Sequence, residues 1–273
     1  MAGNLSIGRA WTDAAAFLRR ERRIVAPLVL GLIAVPAVIA EMVQPSVGNR
    51  EIPEPGLWMI VVLAMVVAMV VGQMAVTLLA GGWSNSPSEA LRRSVRRLPV
   101  LVIAGLLLVG PSGILFLLAR SITGTEGADI ASAGAGAATL ALILLLVLAL
   151  TMIFIAVRAI PSIAVVASGE EGPVAAIKRT FRLTRGHFWK LFAFLILISI
   201  GFIVVAAAAG AIVGSLATLA LGPAEPWSVA KLLIALTGGL LQAAFVSVYT
   251  AMIASITRQL EGEEVADGES SGI

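Results

Sequence analysis

The chain has 273 residues, of which 59% are hydrophobic and 13% charged, with a mean hydropathy of +1.01. A soluble domain carries about 25% charged residues and about 45–50% apolar ones. At half that charge the chain lacks the polar surface to face water, which excludes a soluble enzyme, a disordered chain and a fibre. With no cysteine and one histidine, His187, it also lacks the residues for disulfides, Fe–S or thiolate-zinc sites, thiol catalysis, a Ser-His triad or a histidine-rich metal site. No metal and no cofactor is expected.

Six stretches reach the roughly 20 apolar residues needed to cross a hydrocarbon core of about 30 Å. They run from Ile24 to Val43, Leu57 to Ala80, Leu98 to Leu118, Ala137 to Ala167, Phe188 to Leu221 and Val229 to Ile256. The polar connections between them are too short for a separate domain, so residues 1–260 read as one membrane domain. The segment 261–273, with Glu261, Glu263, Glu264, Asp267 and Glu269, reads as a disordered acidic tail. The first span has a second reading. Basic residues, an apolar run and Val38-Ile39-Ala40 before Glu41 have the outline of a signal peptide. The long helix-patterned lead-in and the bulk of Val38 favour a retained span.

Charge gives the orientation. With the N-terminus in the cytoplasm, all of the 19 Lys and Arg residues fall inside except Arg50, Arg120 and Lys231. This bias follows the positive-inside rule and places both termini in the cytoplasm of a bacterial inner membrane. The pI of 9.9 therefore reflects topology, and no nucleic-acid partner is expected. Trp11, Trp58, Trp83, Trp189 and Trp227 all sit near a span end or in a flanking segment, where amphipathic rings favour the headgroup layer.

An internal repeat organises the spans. Pro87-Ser-Glu-Ala-Leu-Arg-Arg-Ser94 aligns with Pro173-Val-Ala-Ala-Ile-Lys-Arg-Thr180, and a weaker copy aligns Ala16-Phe17-Leu18-Arg19 with Ala90-Leu91-Arg92-Arg93. Ser86-Pro87-Ser88-Glu89 is a capping box with proline at the first helical position. Leu91, Val95 and Leu98 form one stripe and Val174, Ile177 and Phe181 another, each opposed by basic residues, the pattern of a helix lying in the membrane interface. The expected fold is an all-α integral membrane protein. Its six transmembrane helices form three hairpins, each preceded by a cytoplasmic amphipathic interface helix, in units of about 1–85, 86–171 and 172–260.

The run Ala159-Ile-Pro161-Ser-Ile-Ala-Val-Val-Ala167, then Gly172-Pro173-Val-Ala-Ala-Ile-Lys-Arg-Thr180-Phe-Arg-Leu-Thr-Arg-Gly186-His-Phe-Trp189, resembles the bacterial glycerophosphoryl diester phosphodiesterase membrane-domain family. Thr180 stands where that family usually has serine. The resemblance implies a six-span domain that is fused in some bacteria to a catalytic barrel. This chain has no soluble domain and too few histidines for that barrel's acid/base and metal groups, so the resemblance implies no enzymatic activity.

The candidate residues follow from charge and depth. Arg92, Arg93, Arg96, Arg97, Lys178, Arg179, Arg182, Arg185 and Trp189 are candidates for contact with lipid headgroups, because arginine forks match phosphate and each cation gains about 1 kcal/mol at an anionic leaflet. The competing reading is that these charges only set topology. Gln73, Arg158 and Gln242 are polar groups within spans. The glutamines suit interhelical hydrogen bonds, and Arg158 is expected to snorkel to the inner interface. No span holds an acidic residue apart from Glu41 at an outer edge, which disfavours proton coupling. Ala206, Gly210 and Gly214 form a small-residue ridge suited to another span, a second copy of the chain or a partner membrane protein. The expected function is non-enzymatic binding of anionic phospholipid or glycerophosphodiester-like molecules. A small-solute transporter or channel and a scaffold for a partner enzyme are the alternatives.

Overall fold

The computed structural model describes residues 5–45, 56–84, 86–123 and 135–271, and Arg50 lies outside them. Among these residues there is no strand, and six helices are long and apolar enough to cross a membrane. The protein is an all-helical, multi-pass membrane protein.

The chain begins with α1 (Ile7–Arg20), whose cap Ser6 accepts from the Arg9 amide at 3.3 Å. The first span is in three pieces: α2 (Arg22–Val29), a π-helical turn (Leu30–Ala34) and α3 (Val35–Val43). Pro27 and Pro36 flank that turn, and each removes an amide from the normal ladder; the wider turn is where the backbone absorbs the mismatch. It has room because it lies between two glycines. A Cβ on Gly72 would come within 2.9 Å of Leu32 Cβ, and one on Gly239 within 2.9 Å of the Ala34 carbonyl oxygen.

The second span, α4 (Leu57–Gly81), stops at left-handed Gly82 (φ 72°). There the Trp83 amide donates to Leu78 O at 3.0 Å and the Gly82 amide to Leu79 O at 3.2 Å, closing the helix end. Next comes α5 (Pro87–Thr123), a single helix of 37 residues. The expected break between an interface helix and the third span is absent here, and the helix passes through Pro99 and Pro111. In the parallel segment α8 (Pro173–Leu183) is separated from α9 (Phe188–Leu221) by Gly186 at φ 86°. At the repeat offset the residue aligned with Gly186 is Val100, which cannot easily take that conformation. At about 1.5 Å per residue α5 is about 55 Å long, so several turns project past the hydrocarbon.

The fourth span, α6 (Ala135–Ala159), breaks at Ile160–Pro161, and the buried seven-residue α7 (Ser162–Ser168) follows. The last span, α10 (Val229–Ser271), runs on through the segment expected to be a disordered tail. That acidic stretch contains no proline, and Glu261 within it pairs with Arg179 of α8 at 2.9 Å.

Neighbour packing runs α4, α5, α6, α9, α10 and back to α4, with α3 and the π turn against α4 and α10. At the end carrying α1, α7 and α8, here called the basic end, α7 fills this ring, and Met74, Leu78, Val157, Val165, Leu191, Phe194 and Ile253 form the main core. Farther from that end α3 and the π turn still pack against α4 and α10 around Ile33, Val76 and Ala243, whereas α6 and the outer face of α9 are largely bare. On α6, Leu142, Ile143, Leu145, Leu146 and Val147 are all exposed, and only the face carrying the half-buried Leu144 and Leu148 has a protein neighbour.

At the basic end α1, the start of α5 and α8 share one register. Counting four and eight residues from the caps Ser6, Ser86 and Gly172 gives Ala10/Ala14, Ala90/Ser94 and Ala176/Thr180, all buried. In the latter two helices Ser94 and Thr180 donate to the carbonyls of Ala90 and Ala176, both at 2.8 Å. The first copy therefore aligns through Ala10. Ala16, which the sequence pattern matched to Ala90, is exposed. Ala10→Leu should consequently lower stability by about 1–3 kcal/mol, whereas Ala16→Leu should cost no more than about 0.5 kcal/mol. Thermal unfolding in detergent reads both, and equal losses would refute the Ala10 register.

Candidate headgroup site

Successive residues of a helix point 100° apart, so the four arginines of α5 divide into two sets. Arg93 and Arg97 turn toward the loop after α7: Arg93 Nη2 donates to the carbonyl of Ser168, the last residue of α7, and Arg97 Nη1 donates to Glu171 O at 3.0 Å. A guanidinium at a helix C-terminus meets unpaired carbonyls and the negative end of the helix dipole. These two side chains thus fasten α5 to α7. Arg92 and Arg96 are exposed. Together the four arginines line a bay of about 550 Å³ with Glu89, Val100 and Glu170. Four cations face two carboxylates, so the bay carries a net positive charge, and two of its guanidinium groups are already held in place.

The basic residues of α8 do not line this bay. Arg179 is engaged within the protein, at 2.9 Å from Glu261 and 3.8 Å from Glu171, and ties α8 to α10. Lys178, Arg182 and Arg185 are exposed, and Trp189 is 76% exposed. Trp189 stands edge-on to Phe188 and Phe192, with ring centroids 5.6 and 5.9 Å apart.

The polar residues of the spans occupy three separate settings. Arg158 reaches to the end of α8, which offers it acceptors. Its Nη1 donates to Phe181 O at 3.0 Å and Thr184 Oγ1 at 3.2 Å, and its guanidinium stacks 5.4 Å from the Phe154 centroid and 5.9 Å from that of Phe181. Gln242 donates to Met69 Sδ at 3.5 Å, joining α10 to α4, and lines a cavity of about 300 Å³ between α3, α9 and α10. Gln73 lies on α4, where its carbonyl accepts from Thr77.

Sequence reading missed the carbonyls of Ser168 and Glu171 and the carboxylate of Glu170, since nothing in a sequence marks a loop as the partner of arginines more than 70 residues earlier. It also missed a polar seam between α1 and α10. There Ser255 donates to Asp13 Oδ2 at 2.8 Å and the Ser6 amide donates to Gln259 Oε1 at 3.0 Å. At the opposite end of the bundle Lys231 is buried and donates to Gln44 O at 2.9 Å, tying the start of α10 to the end of α3. Among the described residues no cluster of His, Asp and Glu could hold a metal ion.

No curated protein and no solved structure matches the chain. One family model does match, over residues 136–271, and its description is the membrane domain of glycerophosphoryl diester phosphodiesterase. The match covers α6 to α10, including Pro161, the α8 helix and Gly186. The second half of the chain, residues 136–271, thus belongs to the membrane-domain family of glycerophosphoryl diester phosphodiesterase.

Proposed function

We propose that this is a non-enzymatic protein of a bacterial inner membrane, with both termini in the cytoplasm, that holds anionic phospholipid or glycerophosphodiester-like molecules at its basic end. The observation that carries this reading is the α5 bay, with four arginines of which Arg93 and Arg97 are fixed by backbone carbonyls. Fixed donors lose less side-chain entropy when an anion arrives, and guanidinium forks suit phosphate oxygens. The length of α5 supports the same reading, because its first turns project beyond the hydrocarbon to the depth where phosphates lie. Val95 and Val174 remain uncovered by protein, as the lipid-facing stripe of an interface helix requires.

Arg92 and Arg96 are the residues to test, since neither is used to fasten α5 to α7. The double variant Arg92→Gln with Arg96→Gln is expected to fold normally. At about 1 kcal/mol for each cation, it should retain about 30-fold less phosphatidylglycerol through purification. Retention of phosphatidylethanolamine should not change. Native mass spectrometry measures both, and undiminished phosphatidylglycerol would refute the reading.

A further inference from the structure

On another face of the bundle, α9 and α10 diverge beneath α1 and leave an apolar groove of about 770 Å³. Its wall includes Phe194, Gly201, Phe202, Phe245 and Met252, and Trp11 of α1, 55% exposed, lies at its basic-end mouth. The groove is preformed. A ladder of rings, Phe194 on Tyr249 (6.1 Å), Tyr249 on Phe245 (5.8 Å) and Phe245 on Phe202 (4.2 Å), crosses between α9 and α10 and fixes their separation. Phe202 and Leu241 also line the 300 Å³ cavity farther along the same seam, where the small-residue ridge and the polar groups Glu41, Thr237 and Gln242 are found.

We infer that this groove seats one acyl chain of a phospholipid whose phosphate lies beside Lys190. The groove is lined by hydrocarbon and aromatic carbon, inside a protein whose apolar surroundings are lipid tails, and Gly201, which has no side chain, forms part of its wall. Lys190 is exposed, one helical turn before Phe194, so it projects on the groove's own face of α9 just beyond the mouth. An anionic phosphate meets a cation there, and the amphipathic ring of Trp11 lies at the headgroup boundary. This site is separate from the arginine bay and does not depend on it.

The test uses the full chain reconstituted in vesicles, with a phospholipid bearing a photoreactive diazirine on one acyl chain and labelled peptides mapped by mass spectrometry. A seated chain should label the Phe202 and Phe245 peptides about fivefold more than the bare α6 face at Leu142 and Leu146, which reports annular lipid. Gly201→Leu should remove that excess without disturbing the fold, since a Cβ at Gly201 meets nothing within 4 Å. Ala244→Leu, on the opposite wall, provides a second way to fill the groove. A phosphatidylglycerol probe should outlabel a phosphatidylcholine probe in the groove, and Lys190→Gln should erase the difference. Arg92→Gln with Arg96→Gln should leave groove labelling unchanged, which separates this site from the bay. Labelling of the groove equal to that of α6, survival of the excess in both filled variants, or equal labelling by the two headgroups would overturn the proposal.

Discussion

Gly239→Leu is expected to cost at least about 3 kcal/mol, lowering the Tm of the detergent-solubilised protein by about 6–12 °C. The added Cβ alone would stand 2.7 Å from Val38 Cγ2 and 2.9 Å from the Ala34 carbonyl oxygen. The second neighbour is backbone at the end of the π turn, so it cannot move aside as the end of a flexible side chain can; α10 must separate from the first span. Gly238→Leu is the matched control. It makes the same exchange in the same helix turn, but a Cβ there meets nothing within 4 Å. Its propensity change by itself favours the helix by up to about 1 kcal/mol, so this variant should be neutral or slightly more stable. If the two variants behave alike, the α3–α10 crossing is wrong.

The second large effect belongs to Arg158. Arg158→Leu removes a cation that donates to Phe181 O and Thr184 Oγ1 and stacks against two phenylalanine rings. Charge-assisted bonds contribute about 1.5–3 kcal/mol and a stacked cation about 0.5–2 kcal/mol, so a loss of about 2–4 kcal/mol is expected. Arg158→Lys keeps the charge without the planar fork and should recover about half. Limited proteolysis provides a second readout, because α8 held less firmly should be cut faster in the turn after Leu183. Wild-type stability and cleavage in Arg158→Leu would show that the side chain does not fasten α8.

The spans were legible because about 20 apolar residues in a row admit almost no other reading, and the Pro161 break was legible because proline lacks the amide that the helix needs there. The continuity of α5 was not. The repeat suggested an interface helix separate from the span that starts at Leu98, yet the break in the other copy belongs to Gly186, and no glycine follows Arg97 until Gly105. Apolar stripes drew attention to Leu91, Val95, Val174 and Ile177, whereas the buried register is carried by the small residues Ala10, Ala90 and Ala176. Close helix approach selects for small size, and hydropathy patterns are nearly blind to it. For the candidate site, the sequence could mark the arginine rows by charge. It could not separate Arg93 and Arg97, which fasten the fold, from Arg92 and Arg96, because the distinction depends on where α7 ends in space. The π turn gave no signal beyond two prolines nine residues apart, and the far partner of Lys231 gave none.

The uninterrupted course of α5 sets it apart mechanically from its counterpart. A push on α8 can dissipate at the Gly186 joint before reaching α9. A push on the first turns of α5 meets no such glycine joint; the places where this helix can bend are Pro99 and Pro111, each of which lacks the amide of the ladder. A load on Arg92 and Arg96 therefore acts first on the segment before Pro99, and reaches the turns around Ile114 only across both proline sites.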